Sequence, residues 1–69
     1  MATELLKSQN RSLALQNVQK GIILFKENRN LEASVYYNKA LSIDEDNVEA
    51  YVARGAMYIK MKLRLIISF

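Results

Sequence analysis

The sequence predicts an all-α fold, an antiparallel helix–turn–helix repeat carried for about one and a half units. Three observations predict it. The 69 residues include no Pro and only two Gly in a chain rich in Ala, Leu, Lys, Glu and Gln, so helix formers run with few breakers. Apolar residues recur at helical spacing, as at Leu15, Val18, Ile22 and Phe25, which is the pattern of a helix with one buried face. Gly21 and Gly55 stand 34 residues apart, and Val18 and Val52 share that register.

The elements follow in chain order. Residues 1–11 form an N-terminal segment expected to be helical, with Thr3 capping a short helix through Leu5 and Leu6 that ends near Asn10. Residues 12–47 form the first helical hairpin. Ser12 suits the start of its first helix, because a hydroxyl there accepts orphan amide hydrogens of the first turn. Ile23 and Leu24 widen the apolar face so that it can be buried on two sides. Asn28-Arg29-Asn30 reads as a turn, since Asn tolerates the left-handed conformation that ends helices. A second helix is expected from about Leu31 to Ile43, with Ala33, Tyr36, Tyr37, Ala40 and Leu41 as its apolar set. Asp44-Glu45-Asp46-Asn47 is the next turn. Asp46 or Asn47 can cap the third helix, and Glu49 suits its positive end.

Residues 48–60 form the first helix of a second unit, carrying Tyr51, Val52, Gly55, Met57, Tyr58 and Ile59. Residues 61–69 are an apolar tail that lacks a Gly turn and a small residue for a further helix, and reads as the truncated or altered end of a longer repeat protein. Leu65-Ile66-Ile67-Ser68-Phe69 is β-prone and Pro-free, an aggregation hazard unless covered. The two glycines point to close helix approach. Gly within a helix costs about 1 kcal/mol relative to Ala, and close packing at both positions offsets that cost. Gly21→Leu is expected to overpack, at roughly 1–3 kcal/mol or more.

The spacing around the glycines carries a resemblance. Tyr51-x2-Arg54-Gly55-x2-Tyr58 and Asn17-x2-Lys20-Gly21-x2-Leu24 share one register, and Ala33-x3-Tyr37-x2-Ala40 follows the first of them. This resembles the tetratricopeptide repeat, written W-x2-L-G-x2-Y, then A-x3-F, then P. The resemblance covers about Ala14 to Lys60, and the segment from Tyr37 to Asp44 with Asn47 to Tyr51 is the most family-like. The sequence departs from the pattern at Asn17, at Lys20 and Arg54, and at Glu45, where the family has a large aromatic, Leu and Pro. The resemblance implies an α-solenoid fragment whose first helices line a concave groove for peptides or partner helices. The residues at those lining positions are Leu15, Val18, Ile22, Phe25 and Lys26, then Val52, Ala56, Ile59 and Lys60.

These residues are mostly apolar. The charged clamp by which some family members hold a C-terminal carboxylate would need Lys, Asn or Arg where this chain has Val18, Ile22, Val52 and Ala56. The groove therefore suits an amphipathic helix, with Lys26 and Lys60 favouring an acidic rim on the partner. The competing expectation is that the same residues pack against a neighbouring repeat, the N-terminal helix or another copy.

Composition excludes several other classes. With no Cys and no His, no disulfide, zinc cluster, Cys nucleophile or Ser-His-Asp triad can be built. The sequence argues against an enzyme, and no cofactor or metal is expected. Asp44-Glu45-Asp46 lacks the roughly twelve-residue ligand spacing and central Gly of a calcium loop. Net charge is +3, from 10 Lys and Arg against 7 Asp and Glu. The basic residues are scattered, whereas nucleic-acid binders gather them on one face, so nucleic acid is not the expected partner of this chain. No apolar run approaches the roughly 18–20 residues of a membrane span, and the start at Met1-Ala2-Thr3-Glu4 lacks a secretory leader. The expected setting is intracellular, cytoplasmic or nuclear.

The first reading is thus a non-catalytic protein–protein interaction module. The alternatives are a non-autonomous fragment of an RNA-associated repeat protein, or a weak membrane-surface peptide through Lys60, Lys62, Arg64 and the apolar tail. About three repeats are normally needed for stability, so this chain is expected to self-associate or to be a marginal monomer.

Overall fold

The computed structural model describes residues 2–68, with side chains described from Leu6 to Ile67. Three helices follow one another: α1 (Ala2–Lys26), α2 (Asn30–Ile43) and α3 (Val48–Ser68). The fold is all-α, as the composition predicts.

Helix α1 runs unbroken through Ser12, which is an exposed interior residue rather than a cap. The expected break near Asn10 is absent. The physical reason lies in the segment from Lys7 to Arg11, which contains no Gly or Pro, so continuing the helix costs only tenths of a kcal/mol per residue. The capping expected of Thr3 and the packing of Leu5 concern side chains outside those described.

The end of α1 is set by Asn28, the one positive-φ residue among those described, at φ 65°. The Arg29 amide donates to the Leu24 carbonyl at 2.9 Å and the Asn28 amide to the Phe25 carbonyl at 3.1 Å. These two bonds form a Schellman motif, which satisfies carbonyls that a helix end otherwise leaves unpaired. Helix α2 begins at Asn30, with Arg29 at the N-cap position and no side-chain cap. Arg29 instead reaches into the first turn, its Nη2 lying 2.6 Å from Glu32 Oε2.

Helix α3 is capped by Asn47, the second of the two residues the sequence offered. Its Oδ1 accepts the Ala50 amide at 2.8 Å, and its Nδ2 donates to Asp44 Oδ2 at 3.3 Å. Asn47 is buried, so both groups must be paired inside the protein. At its far end α3 passes Lys60 without a turn and continues to Ser68. Met61-Lys62-Leu63-Arg64-Leu65 are all strong helix formers, so residues 61–67 extend the third helix rather than forming a separate tail. Phe69 lies outside the described residues.

The helices pack as antiparallel neighbours: Gly21 meets Tyr37 across α1 and α2, and Arg54 donates to Asn38 across α2 and α3 at 3.0 Å. Helices α1 and α3 therefore run in the same direction on one side of α2. The buried cluster comprises Ala14, Val18, Ala33, Tyr37, Ala40, Ala50 and Met57. Four of these are alanines, which lets the helix axes approach closely and leaves Tyr37 and Met57 as the large side chains that fill the centre.

Candidate partner-binding groove

Because α1 and α3 lie side by side over α2, a groove opens between them. Its volume is about 590 Å³. One wall is Leu15, Val18, Gln19, Ile22, Phe25 and Lys26 of α1, and the other is Val48, Glu49, Val52, Ala53 and Ala56 of α3. Tyr37 of α2 reaches the floor. The helical period explains the set: Leu15, Val18, Ile22 and Phe25 recur every three or four residues, so one stripe of α1 faces the opening.

Of the residues expected from the sequence, the structure brings Leu15, Val18, Ile22, Phe25, Lys26, Val52 and Ala56 together here. Ile59 and Lys60 do not line the groove. Ile59, 62% exposed, lies two turns beyond Val52 on the same face of α3, past the end of the groove. Lys60 Nζ donates to Asn28 Oδ1 at 2.9 Å and stands 4.4 Å from the centroid of the Phe25 ring. That lysine fastens α3 to the α1–α2 turn and touches the groove only through Phe25. Val18 has a double position, since it lines the groove and is also buried in the core.

Sequence reasoning missed Gln19, Tyr37, Val48, Glu49 and Ala53. Val48 and Ala53 carry a usable signal, lying four residues before Val52 and three residues before Ala56. Tyr37 carries none, because its access to the groove depends on the gap between the other two helices. Burial pushes the Tyr37 hydroxyl above its ordinary pKa, as a low-dielectric setting disfavours the phenolate.

The groove has charge at both ends. Glu49 sits where α3 begins, and Lys26 sits at the end of α1. The parallel run of the two helices places these charges at opposite ends, with an apolar stretch between them. A second cleft, of about 640 Å³, lies at the other side of Glu49. Lys7, Asn10 and Arg11 face the turn Asp44-Glu45-Asp46 across it. Its walls carry both signs, and among the described residues no group of His, Cys, Asp and Glu is placed to hold a metal ion. Among the described residues, too, no helix is long and apolar enough to cross a membrane.

Comparison with known proteins agrees with this geometry. The profile of the family described as TPR repeat matches residues 21–62. Tetratricopeptide repeat protein 14 of Mus musculus is 53% identical over 57 residues, which is 83% of this chain and 7% of the mouse protein. The chain thus spans a small part of the length of the curated relative it matches. No solved structure matches it significantly.

Proposed function

The chain belongs to the tetratricopeptide repeat family, and on that premise we propose that its α1–α3 groove receives an amphipathic helix of a protein partner. Repeats of this family mediate protein–protein interaction. The observation that carries the finer reading is the composition of the groove, an apolar strip from Leu15 to Phe25 facing Val52 and Ala56, with Lys26 at one end and Glu49 at the other. An apolar helix face buried there supplies the affinity. The end charges supply direction: an acidic turn on the partner belongs beside Lys26 and a basic one beside Glu49. No general acid, base or nucleophile is needed for this role.

The test is fluorescence anisotropy with a labelled Leu-faced helical peptide bearing Glu at one end and Lys at the other. Binding should persist at high salt, because burial of apolar area is not screened. Ala56→Glu places a charge on the exposed groove wall and should weaken binding at least about tenfold with helicity unchanged. Val18 is the wrong site for such a test, since a charge there would also break the core. Failure of the peptide to bind, or binding indifferent to Ala56→Glu and Val52→Glu, would remove the groove as the site.

A further inference from the structure

Gly21 and Gly55 hold equivalent places in the two units, yet their surroundings differ completely. A methyl group added at Gly21 would come within 2.8 Å of Tyr37 Cδ1 and closer still to Cε1, so the Tyr37 ring covers Gly21. At Gly55 no described atom lies within 4 Å of such a methyl. The outer side of α3 around Gly55 is apolar as well as open. Tyr51, Tyr58 and Leu65 are 48%, 53% and 61% exposed. With Gly55 and Lys62 they fall at steps of four and three residues along one stripe, the spacing by which one helix seats against another. Val52, Ile59 and Ile66 run beside it, also exposed. This stripe lies away from Ala50 and Met57, which face the core.

We propose that a second copy of this chain docks antiparallel across this stripe, with Tyr58 of each copy lying over Gly55 of the other. Three features of the chain favour a second copy as the occupant. First, the stripe is self-complementary. A two-fold axis midway between Gly55 and Tyr58 sets each residue of that pair opposite the other. It also sets Tyr51 opposite Lys62 and Val48 opposite Leu65. The central contact repeats the packing of Tyr37 on Gly21 within the chain. The Tyr51–Lys62 contact repeats the pairing of Lys60 with the Phe25 ring, a cation over an aromatic face.

Second, the area is sufficient. Six apolar side chains (Tyr51, Val52, Tyr58, Ile59, Leu65 and Ile66) are about half exposed or more. At roughly 100 Å² each they offer about 600 Å² per copy, the low end of the roughly 600–1,000 Å² per partner of a specific interface. Third, the charges at the stripe are Lys62 and Arg54, whose guanidinium stands 5.4 Å from the Tyr51 ring centroid within the chain, and both have long stems that can cover apolar surface while their charged heads stay wet. The stripe borders the groove, since Val48 and Val52 line both, but Tyr51, Gly55, Tyr58, Lys62 and Leu65 take no part in the groove.

Sedimentation equilibrium on the full chain tests it, with far-ultraviolet circular dichroism at the same concentrations. The expected result is a reversible dimer at micromolar concentration. A Cβ at Gly55 meets nothing inside the chain and Leu is a good helix former, so Gly55→Leu should leave the fold in place while the dimer Kd rises at least about tenfold. Tyr58→Ala should weaken the dimer to a similar degree, and Ala56→Glu on the groove side should leave it intact. A monomer at every concentration would overturn the proposal and leave the stripe open to a foreign helix. A dimer indifferent to both Gly55→Leu and Tyr58→Ala would overturn it equally, placing the contact elsewhere on the chain.

Discussion

A single methyl group has opposite consequences at the two glycines. Gly21→Ala forces the buried Tyr37 ring to move, and a packed interior resists such shifts. The expected outcome is a loss of about 1–3 kcal/mol, despite the better helix propensity of Ala. Gly55→Ala adds its methyl to open space, so only propensity acts and the gain should be about 0.5–1 kcal/mol. Urea unfolding on dilute, monomeric protein checks both signs. Tyr37 adds a pH dependence. Its pKa is raised in the folded chain by burial, so the folded form holds the phenolic proton more tightly than the unfolded one. Its contribution to stability is constant below the ordinary tyrosine value of about 10 and falls as pH rises beyond it. The melting temperature of Tyr37→Phe should therefore decline less steeply above that pH than that of the parent chain.

At the scale of elements, the turns are where sequence and structure agree best, because a turn is decided by a few adjacent residues. Asn28 adopts the left-handed conformation that its side chain tolerates, and Asn47 caps α3. The choice of Asn47 over Asp46 follows from burial: Asn can both accept from Ala50 and donate to Asp44, whereas a carboxylate cannot donate. Asn47→Ala should therefore cost about 1–2 kcal/mol in urea unfolding. Asn47→Asp should recover only part of it, since the new carboxylate faces that of Asp44. The helix ends expected at Asn10 and Lys60 were not legible. Ser12 and the polar run before it permit a start without requiring one, and no breaker after Lys60 separates a second helix of the second unit. A repeat pattern carried forward from the first unit implies a turn there, but the local residues from Met61 to Leu65 favour continued helix.

Across the whole molecule, the groove was legible only as far as helical period reaches. One stripe of α1 could be assigned from Leu15, Val18, Ile22 and Phe25, and one face of α3 from Val52 and Ala56, but how far along α3 the groove extends could not. Ile59, on the face of Val52, lies past the end of the groove, and Lys60 is a fastening to Asn28 rather than a wall. That extent depends on how α3 docks, which long-range contacts fix, namely Arg54 on Asn38 and Lys60 on Asn28. The same contacts set how stability is distributed. The molecule extends 55 Å along its long axis and 18 by 13 Å across it, because α1 and α3 outreach the shorter α2. The buried cluster spans only Ala14 to Met57 in sequence. Beyond it, residues 6–9 and 62–67 are exposed, and helix without tertiary packing is marginal in water. Amide hydrogen exchange on dilute protein should show strongest protection at Val18–Ile22, Ala33–Ala40 and Ala53–Met57. The first two turns of α1 and residues 62–67 of α3 should exchange fastest, near the limit for fraying ends. Raising the protein concentration separates the two ends. Docking of a second copy along α3 would protect residues 62–67 and leave the start of α1 unchanged, while equal protection at both ends would point to non-specific association.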